Sequence, residues 1–229
     1  MAPARFWRPT INKFFKERTV MNIYRCIVFG LIMAASNSVY SLTVSEKLSA
    51  LLQPLDSMSG TFAQQLFDAD GTVLESSEGV FKLAKPGKML WHVTQPMEQK
   101  LVSDGTVLWI YDPDLEQVVI ESMAGQFKST PIGLLSGDNT DLDERYMIAL
   151  QGIGTDTQLF SLTPKEQGSL FRRIDIRFVG FAPESISVID TLDQRTVIDL
   201  AELGLNQMID EAVFSFIIPD QVDVINNVR

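Results

Sequence analysis

The chain has 229 residues, with 19 Lys and Arg against 29 Asp and Glu, 45% hydrophobic residues, one Cys and one His. That apolar share, with only 21% charged residues, excludes intrinsic disorder. The longest apolar run, ten residues over 26–35, is too short for a spanning helix, which needs roughly 18 to 20.

That run is informative about destination, because Arg25 precedes it and the small residues Ala34, Ala35, Ser36 and Ser38 follow it. It reads as a secretory signal over 1–41, cleaved near Ser38 or Ser41, with translation starting at Met21 rather than in the patternless basic stretch before it. Cys26 follows Ile23, Tyr24 and Arg25, which lack the small and aliphatic character of a lipid-modification site. Export removes six Lys and Arg and one Glu, so residues 42–229 carry 13 basic and 28 acidic side chains, a formal net of −15, and no cysteine. Such a domain is held by its core alone, and its acidic surface repels nucleic acid and anionic bilayers.

Val44, Leu48, Leu51, Leu52 and Leu55 form one apolar stripe at helical spacing, with Thr43 and Glu46 as a capping box and Pro54 limiting the far end. Strand-like runs follow at 61–67, 73–78, 80–84, 89–94, 99–103, 106–111 and 117–121. They are broken by turns such as Asp68-Ala69-Asp70-Gly71, Lys85-Pro86-Gly87-Lys88 and Asp104-Gly105. The stretch 122–143 departs from this rhythm, and Thr130-Pro131 before Ile132, Leu134 and Leu135 predicts one or two short helices. Strand patterning resumes at 145–151, 158–163, 170–179, 185–191, 195–201 and 213–218. No repeat or linker divides 42–229, which reads as one domain.

About eleven antiparallel strands are too many for a flat sheet in a chain of this length, so the sheet is expected to curl into a barrel or half-barrel. Its interior then holds either a cavity or a plug, and the helices at 44–55 and 122–143 are the candidates for plug or lid. Chemistry finds little support. His92 is the single histidine, no G-x-S-x-G elbow is present, and Gly152-Ile153-Gly154 lacks the third glycine and following helix of a phosphate loop. No cofactor or metal is predicted. Arg172, Arg173 and Arg177 read as a solvated strand edge. Met89, Leu90, Trp91, Met97, Trp109 and Tyr111 form a large adaptable apolar surface, which spacing alone cannot assign to a filled or a hollow interior.

The same stretch carries a resemblance. Lys85-Pro86, Trp91-His92-Val93-Thr94-Gln95-Pro96, Leu101-Val102-Ser103-Asp104-Gly105 and Leu108-Trp109-Ile110-Tyr111-Asp112-Pro113 together resemble the bacterial outer-membrane lipoprotein carrier family, LolA. Phe62-Ala63-Gln64-Gln65, Thr130-Pro131, Leu162-Thr163-Pro164-Lys165 and Phe214-Ser215-Phe216 extend the likeness over the exported chain. The resemblance implies a mainly β fold with a few helices: an incomplete antiparallel β-barrel covered by a helical lid and enclosing a hydrophobic cavity for acyl chains. It further implies a periplasmic, non-enzymatic chaperone, monomeric by default. Its partners would be acylated lipoproteins, an inner-membrane lipoprotein-releasing ABC transporter complex and the outer-membrane receptor LolB.

For the cavity, the sheet residues expected are Phe62, Leu66, Phe81, Met89, Trp91, Leu101 and Trp109, and the helix residues Leu48, Leu51, Leu52, Ile132 and Leu135. In the family a basic residue before the proline of Lys85-Pro86 ties the lid to the barrel, commonly as arginine. Lys85 replaces that planar five-donor fork by an ammonium with three donors. A lipid- or lipoprotein-sensing regulator on the same scaffold is the second reading, although such regulators carry a further domain. An exported hydrolase with paired carboxylates is a third.

Overall fold

Each element forms where short-range chemistry permits it, and the first is helix α1, Val44–Leu52. Its capping box is complete: the Glu46 N–H donates to Thr43 Oγ1 at 3.2 Å and the Thr43 N–H to Glu46 Oε2 at 2.7 Å. Nine residues are too few for a stable helix in water, so α1 persists through the packing of Leu48, Leu51 and Leu52, all buried. The helix ends three residues short of Leu55, which is buried nonetheless in the connection to the sheet.

The computed structural model describes residues 42–123, 130–137, 139–152 and 156–228. The predicted signal segment at 1–41 and part of the predicted 122–143 helical stretch lie outside the described residues. Residues from Leu42 onward form one compact unit. The strands are β1 Ser57–Phe67, β2 Val73–Ala84, β3 Lys88–Gln95, β4 Gln99–Asp104, β5 Val107–Asp112 and β6 Gln117–Ser122. After helices α2, Pro131–Ser136, and α3, Leu142–Arg145, come β7 Tyr146–Gly152, β8 Thr157–Pro164, β9 Phe171–Val179, β10 Ala182–Asp190, β11 Arg195–Leu205 and β12 Asp223–Asn226.

All twelve strands belong to one sheet in the order β12-β6-β5-β4-β3-β2-β1-β11-β10-β9-β8-β7. Two antiparallel meanders, β1–β6 and β7–β11, are joined where β11 returns to pair with β1. Strand β12 adds in parallel to β6, and β7 and β12 are the two open edges, so the sheet does not close on itself. The expected mainly β architecture with an incomplete, unclosed sheet and few helices is the one observed.

Three local expectations are corrected. The runs at 73–78 and 80–84 are one strand, because Gly79 is a point of close approach rather than a break: a Cβ there would collide with the His92 carbonyl oxygen. The predicted strand at 213–218 is instead a 3₁₀ turn, Glu211–Phe214, nucleated by Asp210, whose Oδ1 accepts the Ala212 N–H at 3.0 Å. The arginines of β9 do not mark an edge, since β8 and β10 flank that strand, and Arg172, Arg173 and Arg177 pair with Asp193, Asp175 and Glu184.

Alternation sorts the side chains between two faces. One face is covered by the helices: Met58, Phe62, Phe81 and Trp91 on β1–β3 and Phe160, Ile174, Ile176 and Ile198 on β8–β11 share a single core with the leucines of α1, α2 and α3. The other face has a smaller apolar cluster under the C-terminal segment, where Val102, Val118 and Phe214 are buried. Phe216 there approaches Trp109 and Tyr111 at centroid distances of 6.5 and 5.6 Å.

Candidate functional site

The helix-covered face gathers most of the residues singled out for acyl binding. Phe62, Phe81, Met89 and Trp91 are buried in its core, as are Leu48, Leu51 and Leu52 of α1 and Leu135 of α2, while Leu101 and Ile132 pack against it half-buried. Trp91 stacks on Phe62 with centroids 3.9 Å apart and on Phe81 at 5.7 Å, forming an aromatic floor across β1, β2 and β3. The helices' own side chains lie against this floor, with Leu48, Leu52 and Leu134 wholly inaccessible to solvent.

Two expected wall residues fall elsewhere. Trp109 lies on the opposite face: Trp91 pairs with Leu101 and Leu101 with Ile110, so Trp109, one position away, points with Val102 to the far side. Leu66 shares the face of Phe62 but sits near the end of β1, half-buried and outside the core. Sequence reading missed Ile174, Ile176 and Phe178 as members of this core, although their period-two spacing carried the signal.

Lys85 stands where the face meets the helices. Its Nζ donates to the carbonyl oxygens of Leu52 at 2.8 Å and Gln53 at 3.1 Å, the last residue of α1 and its C-cap. Carbonyls at a helix C-terminus lack intrahelical donors and carry the negative end of the helix dipole, so an ammonium there both satisfies and neutralises them. Lys85 thus bonds the β2–β3 turn to the C-terminal end of α1. The same turn also holds α2, because the Gly87 N–H donates to the Ser136 carbonyl at 3.0 Å.

The Lys85–Lys88 turn rests on the β4–β5 turn. Gly105, at φ +98, lies so close that a Cβ there would meet the Pro86 carbonyl oxygen at 2.7 Å. Asp104 shapes this supporting turn: its Oδ1 accepts the Thr106 N–H and hydroxyl, each at 2.7 Å, and the Val107 N–H at 2.9 Å. Burial alone pushes the Asp104 carboxyl up, but the bonds from Val107 and Thr106 outweigh it and hold it below the ordinary carboxylate range. A carboxyl depressed on folding contributes stability that is present above its unfolded pKa, about 3.9, and is lost as pH falls through the folded value. Thermal melts from pH 7 to pH 2.5 should therefore show the parent more stable than Asp104→Asn at neutral pH, the difference shrinking as pH falls below about 3.9.

Outside this site, His92 faces away from the lid and shares Glu98 Oε1 with Lys100, at 2.9 and 2.8 Å. That arrangement is a surface ion cluster.

The family model described as "Outer membrane lipoprotein carrier protein LolA" matches residues 53–217, from the end of α1 to beyond the 3₁₀ turn. An outer-membrane lipoprotein carrier protein of Hahella chejuensis is 36% identical over 206 residues, covering 90% of this chain and 98% of its own. A protein of that description from Chromohalobacter salexigens is 39% identical over 181 residues, 79% of this chain and 86% of its own. Among solved structures, a LolA superfamily protein of Nitrosomonas europaea aligns over 76% of this chain and 99% of its own at 13% identity and a TM-score of 0.48. With the family match spanning most of the sheet and the Lys85–Lys88 turn, this chain belongs to the outer-membrane lipoprotein carrier family, LolA.

Proposed function

We propose that this chain is a periplasmic lipoprotein carrier, exported by a cleaved signal segment, whose helix-covered face shelters acyl chains during an aqueous crossing. It receives acylated lipoproteins from an ATP-driven ABC transporter complex in the inner membrane and yields them to the receptor LolB at the outer membrane, working without a cofactor or catalytic chemistry of its own. Each acyl CH₂ left in water costs roughly 0.8 kcal/mol, so one chain of typical length costs about 10 kcal/mol and free diffusion of a lipoprotein is negligible. A carrier without nucleotide energy must hold its cargo moderately, and a competing occupant of the binding face supplies that moderation.

The observation that carries this reading is the lid itself. Leucines of short helices fill the apolar face, and the helices are held at one turn by Lys85 and the Gly87 amide. Acyl chains displace these leucines when they enter, and the returning lid helps to expel them. In the test, the exported chain is incubated with inner-membrane vesicles that contain the release complex, labelled lipoprotein and ATP. A soluble carrier–lipoprotein complex is expected, passing its label to membranes bearing LolB. Label that stays with the vesicles whether or not the chain is added would end the proposal.

A further inference from the structure

We infer that Asn139 is the positioning residue that makes the two parts of the lid, α1 and α2, open as one body. The inference rests on the carrier reading above, because it concerns how that reading's lid moves. Lys85 and Gly87 hold each helix separately to the sheet, and neither of those bonds joins α1 to α2. Among the described residues, a polar link between them runs through Asn139.

On one side, the Ser49 hydroxyl of α1 donates to the Asn139 main-chain carbonyl at 3.3 Å. On the other, the Asn139 side-chain Nδ2 donates to the Leu134 carbonyl of α2 at 2.8 Å and to Gly137 O, just past the helix end, at 3.3 Å. Asn139 is therefore a relay: its backbone takes hold of α1 while its amide caps the last turn of α2, whose carbonyls lack intrahelical donors. Its side chain is 3% exposed, and among the described residues its Oδ1 is buried with no hydrogen-bond partner. An unmet buried acceptor disfavours the closed state, so the relay couples the helices without making closure too stable for cargo to reverse.

Coupling has a functional meaning that two independent flaps lack. Cargo that displaced α1 alone would leave Leu134 and Leu135 on the face, whereas a lid that moves whole clears both sets of leucines together. Leu48, Leu51, Leu134 and Leu142 share one core, and packing through it is the rival route for the same motion. The experiment must separate the amide from the leucines.

Hydrogen exchange on the empty exported chain does so without cargo. The Gln53 N–H, bonded to Ser49 O at 2.8 Å, reports α1, and the Gly137 N–H, bonded to Gly133 O at 2.8 Å, reports α2. Thr43→Ala removes the N-cap of α1 at the end opposite the one Lys85 bonds, and should speed Gln53 exchange about fivefold. With Asn139 in place, Gly137 exchange is expected to rise by a comparable factor; in an Asn139→Leu background it should stay within about twofold of its starting rate. Ser49→Ala breaks the relay from α1's side and should uncouple the two amides likewise, which covers the case of an Asn139→Leu chain that does not fold. Gly137 exchange that ignores Thr43→Ala in the parent, or that follows it equally in both backgrounds, overturns the inference. Because no lipoprotein enters the measurement, that failure is distinct from a failure of vesicle release, which would sink the carrier reading instead.

Discussion

Replacing Lys85 by Leu is expected to leave uptake from inner-membrane vesicles intact and to slow onward transfer to LolB-bearing membranes about tenfold. Lys85 contributes to the closed lid through two charge-assisted bonds to the carbonyls of Leu52 and Gln53. Bonds of this kind are worth about 1.5 to 3 kcal/mol each when buried. Here the ammonium is partly solvated, so about 1.4 kcal/mol in all is a fair discount, and that corresponds to the tenfold factor. The direction follows from competition. A looser lid competes less with acyl chains, apparent affinity for cargo rises as the closed state becomes rarer, and release suffers while loading does not.

Lys85→Arg is the informative companion. A guanidinium keeps donors within reach of both carbonyls, so transfer should remain within about threefold of the parent. Equal transfer by parent and Lys85→Leu would remove the latch from the mechanism and leave the leucines of α1 as its restraint. Slowing by Lys85→Leu and Lys85→Arg alike would instead point to the shape of the turn at Gly87 and Gly105 rather than to donated bonds.

How much of this was legible beforehand depended on whether the signal was local. Helix α1 was readable because Thr43, Glu46 and the leucine stripe lie within one short stretch, and the cap formed as those residues predict. Strands β3 to β6 were readable from their turns, whose Asp and Gly residues act on their own backbone. Facing was not readable in the same way: Trp91 and Trp109 are both aromatic and both on strands, and only the pairing of Leu101 with both Trp91 and Ile110 sends them to opposite faces. Strand β12 gave no signal because all four of its residues are exposed and it borrows its order from β6. The link from Ser49 to Asn139 spans 90 positions and has no sequence signature at all. The resemblance pointed to Lys85, but the carbonyls it meets became visible only once α1 was seen to end at Leu52.

The two tryptophans provide the sharpest separation of floor from outer surface, since the chain has three and the third, Trp7, lies in the predicted signal segment. Trp91 is buried between Phe62 and Phe81, so Trp91→Ala should remove about 3 to 5 kcal/mol of stability and lower the melting temperature by roughly 6 to 20 °C. Trp109, half-buried beside Phe216 on the opposite face, should lose only about 1 to 2 kcal/mol when truncated. Function separates them further. In an exported chain carrying Trp109→Phe, Trp91 is the lone indole. A lipoprotein or lipopeptide with brominated acyl chains should quench most of its emission, because the quencher must lie in van der Waals contact with the ring. In the Trp91→Phe chain, the same ligand should leave Trp109 emission within about a tenth of its starting value, because the sheet stands between that ring and the lid. Quenching of Trp109 with Trp91 emission left unchanged would place the acyl chains under the C-terminal segment, and the helix-covered face would then be a packed core and nothing more.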